Sequence, residues 1–403
     1  MSLNETPSAE RVQIGFFGRR NAGKSSVVNA VAGQSLAVVS PVKGTTTDPV
    51  RKAMELLPLG PVLIIDTPGI DDEGDLGALR VQKTKQVLNQ INAAVLVVDA
   101  VHGRGEADGA LIQLFRDRDV PYIVAYNKSD LLEERGVLNQ EEIYISAVTR
   151  ENIEVLKERL AALAVTEEPK LRIVGDLIHP SDFVVLVTPI DKAAPKGRLI
   201  LPQQQTIRDI LEADAVAVVV KEFELRETLE HIGKKPALVI TDSQVFAKVS
   251  ADTPADIPLT SFSILFARYK GLLEAAATGA KTVDALAEND RVLICEGCTH
   301  HRQCDDIGTV KLPRWIRNYT GRNFVFDFTS GSEFPEDLSR YKLVVHCGGC
   351  MLPEREVKAR QKQALAQKVP ITNYGTLIAY MQGILRRSLS VFPHILAEIG
   401  EQP

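Results

Sequence analysis

Short apolar runs alternate with longer stretches of helically spaced apolar residues along most of this chain. Up to about Ala164, the runs VQIGFFG, VLIIDTP, AAVLVVDA, YIVAYNK and IYISA read as strands, and a helix is expected from Lys24. Such alternation predicts a mostly parallel sheet flanked by helices. The stretch VTEEPKLRIVGDLIHPSD reads as a connector. Over 181–261 the pattern returns on a smaller scale. FVVLVTPI, AVAVVVK and PALVITDS are expected strands, QQQTIRDILEA and LRETLEHIG expected helices, and ADTPADIPLTS a Pro-rich boundary. A third stretch opens with a helix expected over 262–277. The strands RVLICEG, NFVFDFT and YKLVVHCG follow, with helices in PEREVKARQKQALAQK and TLIAYMQGILRRSL. The second and third stretches invite comparison as two copies of one layout. The expected class is α/β: one domain over 1–165, then two smaller α/β domains with mostly parallel sheets. The smaller domains are expected over 166–264, with a linker at about 166–180, and over 265–403.

Composition changes this picture little. The chain has 403 residues, 45% hydrophobic and 25% charged, with a net charge of −5. That balance fits a soluble globular protein and offers no bulk attraction for nucleic acid or anionic membrane. No run approaches the roughly 18 apolar residues needed to span a bilayer. The opening MSLNETPSAERVQ has no apolar core of the kind a secretory signal carries. A cytoplasmic protein is expected, and in a reducing compartment clustered cysteines are more often metal or redox groups than disulfides.

The first stretch carries a nucleotide motif. Gly18-Arg-Arg-Asn-Ala-Gly23-Lys24-Ser25 fits G-x-x-x-x-G-K-[ST] between an expected strand and an expected helix. Backbone N–H groups there wrap phosphates, Lys24 reaches the β- and γ-phosphates, and Ser25 ligates Mg²⁺. Asn21, Ala22, Gly23 and Ser26 belong to the same binding loop. Asp66-Thr-Pro-Gly69 follows the strand VLII, placing Asp66 to hold Mg²⁺ and the Gly69 N–H at the γ-phosphate. Thr46, in Gly44-Thr45-Thr46, is the expected second Mg²⁺ ligand, with Thr45 the alternative. Lys24, Thr46 and Gly69 are thus the expected catalytic set. In Asn127-Lys128-Ser129-Asp130 the Asp130 carboxylate can accept from guanine's N1–H and amino group, whereas adenine would leave it unpaired. Ser146 and Ala147 offer backbone contact to the guanine oxygen. Arg19 and Arg20 read most simply as solvated loop charges.

The last third holds all five cysteines. Cys298-Thr-His300 ends one expected strand, and His346-Cys347-Gly-Gly-Cys350 ends another. Sites in parallel sheets form at carboxyl ends of strands, so the two groups could converge. Three readings compete: unligated buried thiols, a closed zinc site of Cys295, Cys298, Cys347 and Cys350, or an iron–sulfur cluster on Cys298, Cys347 and Cys350. In the last reading, His300 and His346 are candidate ligands of a fourth iron or hydrogen-bonding partners of the ligands. Asp191 is a more distant candidate, and Cys304 has no assigned part.

Residues 10–160, through these motifs, resemble the TrmE–Era class of bacterial GTPases. The resemblance implies that Asn21 binds an activating K⁺. Apolar Ile70 stands where many GTPases carry a water-orienting glutamine, so slow hydrolysis is expected unless K⁺ or an acid among Asp71, Asp72, Glu73 and Asp75 assists. Cys-x-His, a gap, then His-Cys-x-x-Cys resembles the cluster signature of the FeFe-hydrogenase maturation GTPases, the HydF family, across essentially the whole chain. That resemblance implies a GTPase domain, a dimerisation domain and a domain whose Cys298, Cys347 and Cys350 bind a 4Fe–4S cluster. It implies a homodimeric scaffold that takes a two-iron subcluster from radical-SAM hydrogenase maturases and delivers it to apo FeFe-hydrogenase, with no nucleic acid or membrane partner. The alternative is an RNA-modification or ribosome-associated GTPase with a structural zinc domain. Against it, the third stretch has no strongly basic, aromatic-interleaved segment.

Overall fold

The computed structural model describes residues 6–33, 49–69, 75–164, 171–190, 199–298 and 306–400, with the backbone alone over 75–80. The chain divides into two units, Met1–Pro169 and Lys170–Pro403.

Unit 1 is built on β1 (Val12–Phe17), β2 (Val50–Leu56), β3 (Gly60–Asp66), β4 (Ala93–Asp99), β5 (Tyr122–Asn127) and β6 (Glu142–Tyr144). They form one sheet in the order β2-β3-β1-β4-β5-β6. Every pairing is parallel except β2 with β3. All of β4 is buried, as a central strand covered on both faces requires. Alternate residues feed two cores: Phe16, Val95 and Val97 on one face, Phe17, Leu96 and Val98 on the other. The sequence pattern does not reveal β2. It is an edge strand whose residues are mostly exposed, so it carries no apolar run.

Unit 2 holds two parallel four-stranded sheets. The first has β7 (Phe183–Val187), β8 (Val216–Val220), β9 (Leu238–Thr241) and β10 (Leu259–Ser261), in the order β10-β9-β7-β8. The second has β11 (Arg291–Glu296), β12 (Val325–Ser330), β13 (Leu343–His346) and β14 (Ile371–Asn373), in the order β12-β11-β13-β14. Counted from its own first strand, each sheet runs second, first, third, fourth. The order reverses between first and third strands, which makes β7/β9 and β11/β13 the two switch points.

Two expectations are corrected here. The Pro-rich boundary contains strand β10. The helix expected over 262–277 is two, Phe262–Tyr269 and Leu273–Ala280, broken where Gly271 takes φ 73°. Over the described part of the connector, Ile173, Val174 and Ile178 are buried in the core of unit 2. That core runs through both sheets and includes Val185, Ile240, Phe266, Leu293, Cys295 and Val344. Val292, Ile294 and Val345 face the other way, under Leu312, Ile316 and Leu377. Among the described residues, no helix is long and apolar enough to cross a membrane.

Candidate functional site

The nucleotide motif occupies the turn from β1 into the helix Lys24–Ala32. Gly18 has φ 147°, and a Cβ there would stand 2.3 Å from the Val97 carbonyl oxygen. Gly23 has φ 81°, and a Cβ there would stand 2.3 Å from Asn127 Nδ2. Both positions therefore exclude a side chain. Asn127 straps three segments together. Its Nδ2 donates to the Ala22 carbonyl at 3.0 Å, and its Oδ1 accepts from the Ala147 N–H at 3.0 Å. The phosphate loop, the Asn-Lys-x-Asp loop and the Ser146-Ala147 loop are thus tied through one amide.

Asp66 ends β3 beside this turn. Ser25 Oγ donates to its Oδ2 at 3.1 Å, and Lys24 Nζ lies 3.4 Å from its Oδ1. Asp130 is exposed in the loop after β5. Lys128, with φ 69°, turns its ammonium onto Asp99 Oδ2 at 2.5 Å. Partial burial works against ionisation of Asp99. Hydrogen bonds from Lys128, the Val101 N–H and His102 outweigh it and hold the carboxyl below its usual value. Ser146 Oγ accepts from the Val148 and Thr149 N–H groups, closing its loop. Asn21 takes φ 61° within the phosphate loop. Thr45, Thr46, Ile70, Asp71, Asp72 and Glu73 lie outside the described residues.

Arg19 departs from the reading as a solvated charge. Its Nε lies 3.0 Å from a carboxylate oxygen of fully buried Asp108, and its Nη2 donates to the Gly103 carbonyl at 2.7 Å. Nothing local in the sequence links Arg19 to Asp108; tertiary packing alone brings them together.

The cysteine groups meet at the β11/β13 switch point. Cys298 follows β11 by two residues, Cys347 follows β13 directly, and Cys350 comes after Gly348-Gly349. Cys347 Sγ accepts from the Gly297 N–H at 3.0 Å and the Gly349 N–H at 3.4 Å. Burial raises the Cys347 thiol, and those two donors pull it back. Burial pushes Cys350 up to about 12 and Cys298 higher still, each raised further by neighbouring thiols. Cys295 stands apart. Fully buried in the core shared by the two sheets, it is pushed up to about 12 by that burial. Among the described residues, no three His, Cys, Asp or Glu side chains gather closely enough to hold a single metal ion.

His346 is fully buried, and both its ring nitrogens are engaged. Nδ1 lies 2.8 Å from the Cys347 carbonyl, and Nε2 lies 3.1 Å from Arg360 Nη1. Burial, then the Arg360 charge, lowers its pKa to about 3. Both ring nitrogens of His346 thus face hydrogen-bonding partners in this structure. His300, Cys304 and Asp191 lie outside the described residues. Sequence reasoning missed Glu296, a buried carboxylate two residues before Cys298 whose Oε1 lies 3.4 Å from the Tyr374 hydroxyl.

Comparison with known proteins agrees with this division. Residues 13–128 match a family model described as a 50S ribosome-binding GTPase. Residues 173–271 match the hydrogen maturase F dimerization domain, and residues 274–391 the hydrogen maturase F tetramerization domain. GTPase Era of Rippkaea orientalis is 31% identical over 234 residues, 54% of this chain and 70% of that protein. The tRNA modification GTPase MnmE of Nitrosomonas europaea is 32% identical over 160 residues, 38% of this chain and only 35% of that protein. A crystal structure of Aquifex aeolicus Era bound to GDP·AlF4⁻ is 20% identical, with a TM-score of 0.35, covering 55% of this chain and 98% of that one. The chain is a GTP-hydrolysing enzyme, and its two later segments are those of an oligomer-forming hydrogenase maturase. It belongs to the HydF-type hydrogenase maturase GTPases, with a nucleotide domain related to Era and MnmE.

Proposed function

We propose that this chain holds a 4Fe–4S cluster on Cys298, Cys347 and Cys350, and that it assembles or delivers the two-iron subcluster to apo FeFe-hydrogenase after receiving it from radical-SAM maturases. The observation that carries the reading is the meeting of the two cysteine groups at adjacent strand ends, with backbone N–H groups already aimed at Cys347 Sγ. Backbone donors of this kind stabilise thiolate and sulfide around a cluster. A closed zinc site would need Cys295 as its fourth thiolate, and that thiol lies in the apolar core. When bound, the cluster supplies one iron without a cysteine, a position at which ligands exchange. The chain's part is to give up three thiol protons, to bury the site and to leave that side open.

On the GTP side, Lys24 and the phosphate loop neutralise the β- and γ-phosphates, while Ser25, Thr46 and Asp66 hold Mg²⁺. Asn21 takes K⁺, Gly69 meets the γ-phosphate, and Asp130 selects guanine. Hydrolysis releases the segments around Thr46 and Gly69 rather than driving bond chemistry on the cluster. The dimer forms along β8, an edge strand that exposes Val216 and Val219. Lys24→Ala tests the separation of roles. It should abolish GTP hydrolysis while iron and sulfide content stay at the wild-type level. Loss of iron from a folded Lys24→Ala protein would contradict it.

A further inference from the structure

The His346 ring is held by a buried ion pair. Arg360 and Glu356, on the helix Glu354–Ala366, are 3% and 5% exposed. Arg360 Nη1 reaches His346 Nε2 at 3.1 Å, and Nη2 donates to the Gly331 carbonyl at 2.7 Å and to the Glu356 carboxylate. The guanidinium also stands 5.3 Å from the Phe334 ring centre. Arginine only donates, so His346 Nε2 must be the accepting nitrogen. The proton then sits on Nδ1, which donates to the Cys347 carbonyl at 2.8 Å. The pair is not a bargain for stability. Arg360 Nε and Glu356 Oε2 are buried with no hydrogen-bond partner among the described residues. Apolar side chains of similar volume would avoid that cost.

We propose that Arg360, braced by Glu356, is a positioning residue for the cysteine site. It locks His346 in the Nδ1–H tautomer, keeps Nε2 away from the metal, and through the Nδ1–H bond fixes the Cys347–Cys350 turn against the helix and the Gly331 segment. The proposal rests on the cluster reading above. Hydrogen-bonding partners of this sort typically matter tenfold to a hundredfold for metal retention.

The test has two arms, applied to wild type, Arg360→Gln, Arg360→Lys and Glu356→Gln. In the metal-free protein, ¹⁵N-histidine NMR, assigned with His346→Gln, should show His346 as the Nδ1–H tautomer in wild type and Arg360→Lys. Arg360→Gln should lose it, and Glu356→Gln should lose part of it. After anaerobic loading with iron and sulfide, Arg360→Gln should release iron to a chelator roughly ten- to a hundredfold faster than wild type. It should also gain an imidazole-nitrogen coupling in pulsed EPR that disappears when His346→Gln is added. Folded Arg360→Gln and Glu356→Gln proteins that keep the tautomer and the wild-type release rate would overturn the proposal. If Arg360→Gln fails to fold, Glu356→Gln decides in the same way. If wild type takes up no iron, the cluster reading fails, and the tautomer arm alone decides whether Arg360 holds His346.

Discussion

Both sheets of unit 2 share one strand order, and both fourth strands end in a helix cap. Ser261 Oγ accepts from the Ile264 N–H, and Asn373 Oδ1 accepts from the Thr376 N–H. The third strands part company. After β9, Asp242 folds back to accept from the Gln244 N–H at 3.0 Å, sealing the turn with its own carboxylate. After β13 stands Cys347-Gly-Gly-Cys350, whose glycines leave the backbone free to curl and to donate. The first strands differ likewise: β7 leads into Thr188-Pro189, and β11 into Gly297-Cys298. One topology thus offers two equivalent switch points, and only one carries soft donors. The fold supplies a place; the residues leaving its strands make the site.

The comparison can be broken at several points. Cys347→Ser should lose most of the bound iron after anaerobic loading, while Asp242→Asn and Thr188→Val, at the other switch point, should lose none. Iron lost equally from both sets would mean that the cysteines act only through folding.

A smaller effect separates the strand ends His346 and Thr241. The unfolded chain protonates His346 near pH 6.5, whereas the folded chain holds it neutral down to about pH 3. Its contribution is therefore complete above pH 6.5 and is lost as pH falls toward 3, by up to about 1.4 kcal/mol per unit. Urea midpoints taken between pH 7 and 5 should fall steeply in wild type and less so in His346→Gln.

The proposed dimer along β8 gives a further contrast between the two sheets. Val219→Lys on β8 should weaken the dimer about tenfold or more by sedimentation, with iron content unchanged. A dimer indifferent to this change would remove β8 from the interface. Least of all, Cys295→Ala should cost about 1 kcal/mol of stability and no iron.

Much of this was legible in the sequence, and for local reasons. The phosphate loop is one contiguous segment, and strands such as β4 are buried on both faces, so their composition alone announces them. The thiols at strand ends were readable because the strands before them were. Three strands without a distinct apolar run were not. β10 and β14 have three residues each, and β2 carries charges along a solvent-facing edge. Pairings distant in sequence were also hidden. Arg19 with Asp108, and His346 with Arg360, are set by tertiary packing that no local pattern encodes. For Arg19 that packing overturned the reading as a solvated charge.

The most direct test of the central claim is metal and sulfide analysis with EPR of the anaerobically reconstituted protein, comparing wild type with Cys298→Ser, Cys347→Ser and Cys350→Ser. Wild type should hold iron and sulfide in equal amounts and show a reduced-cluster signal that each substitution removes or alters. Stoichiometric zinc without iron or sulfide, or a cluster signal indifferent to all three substitutions, would contradict it.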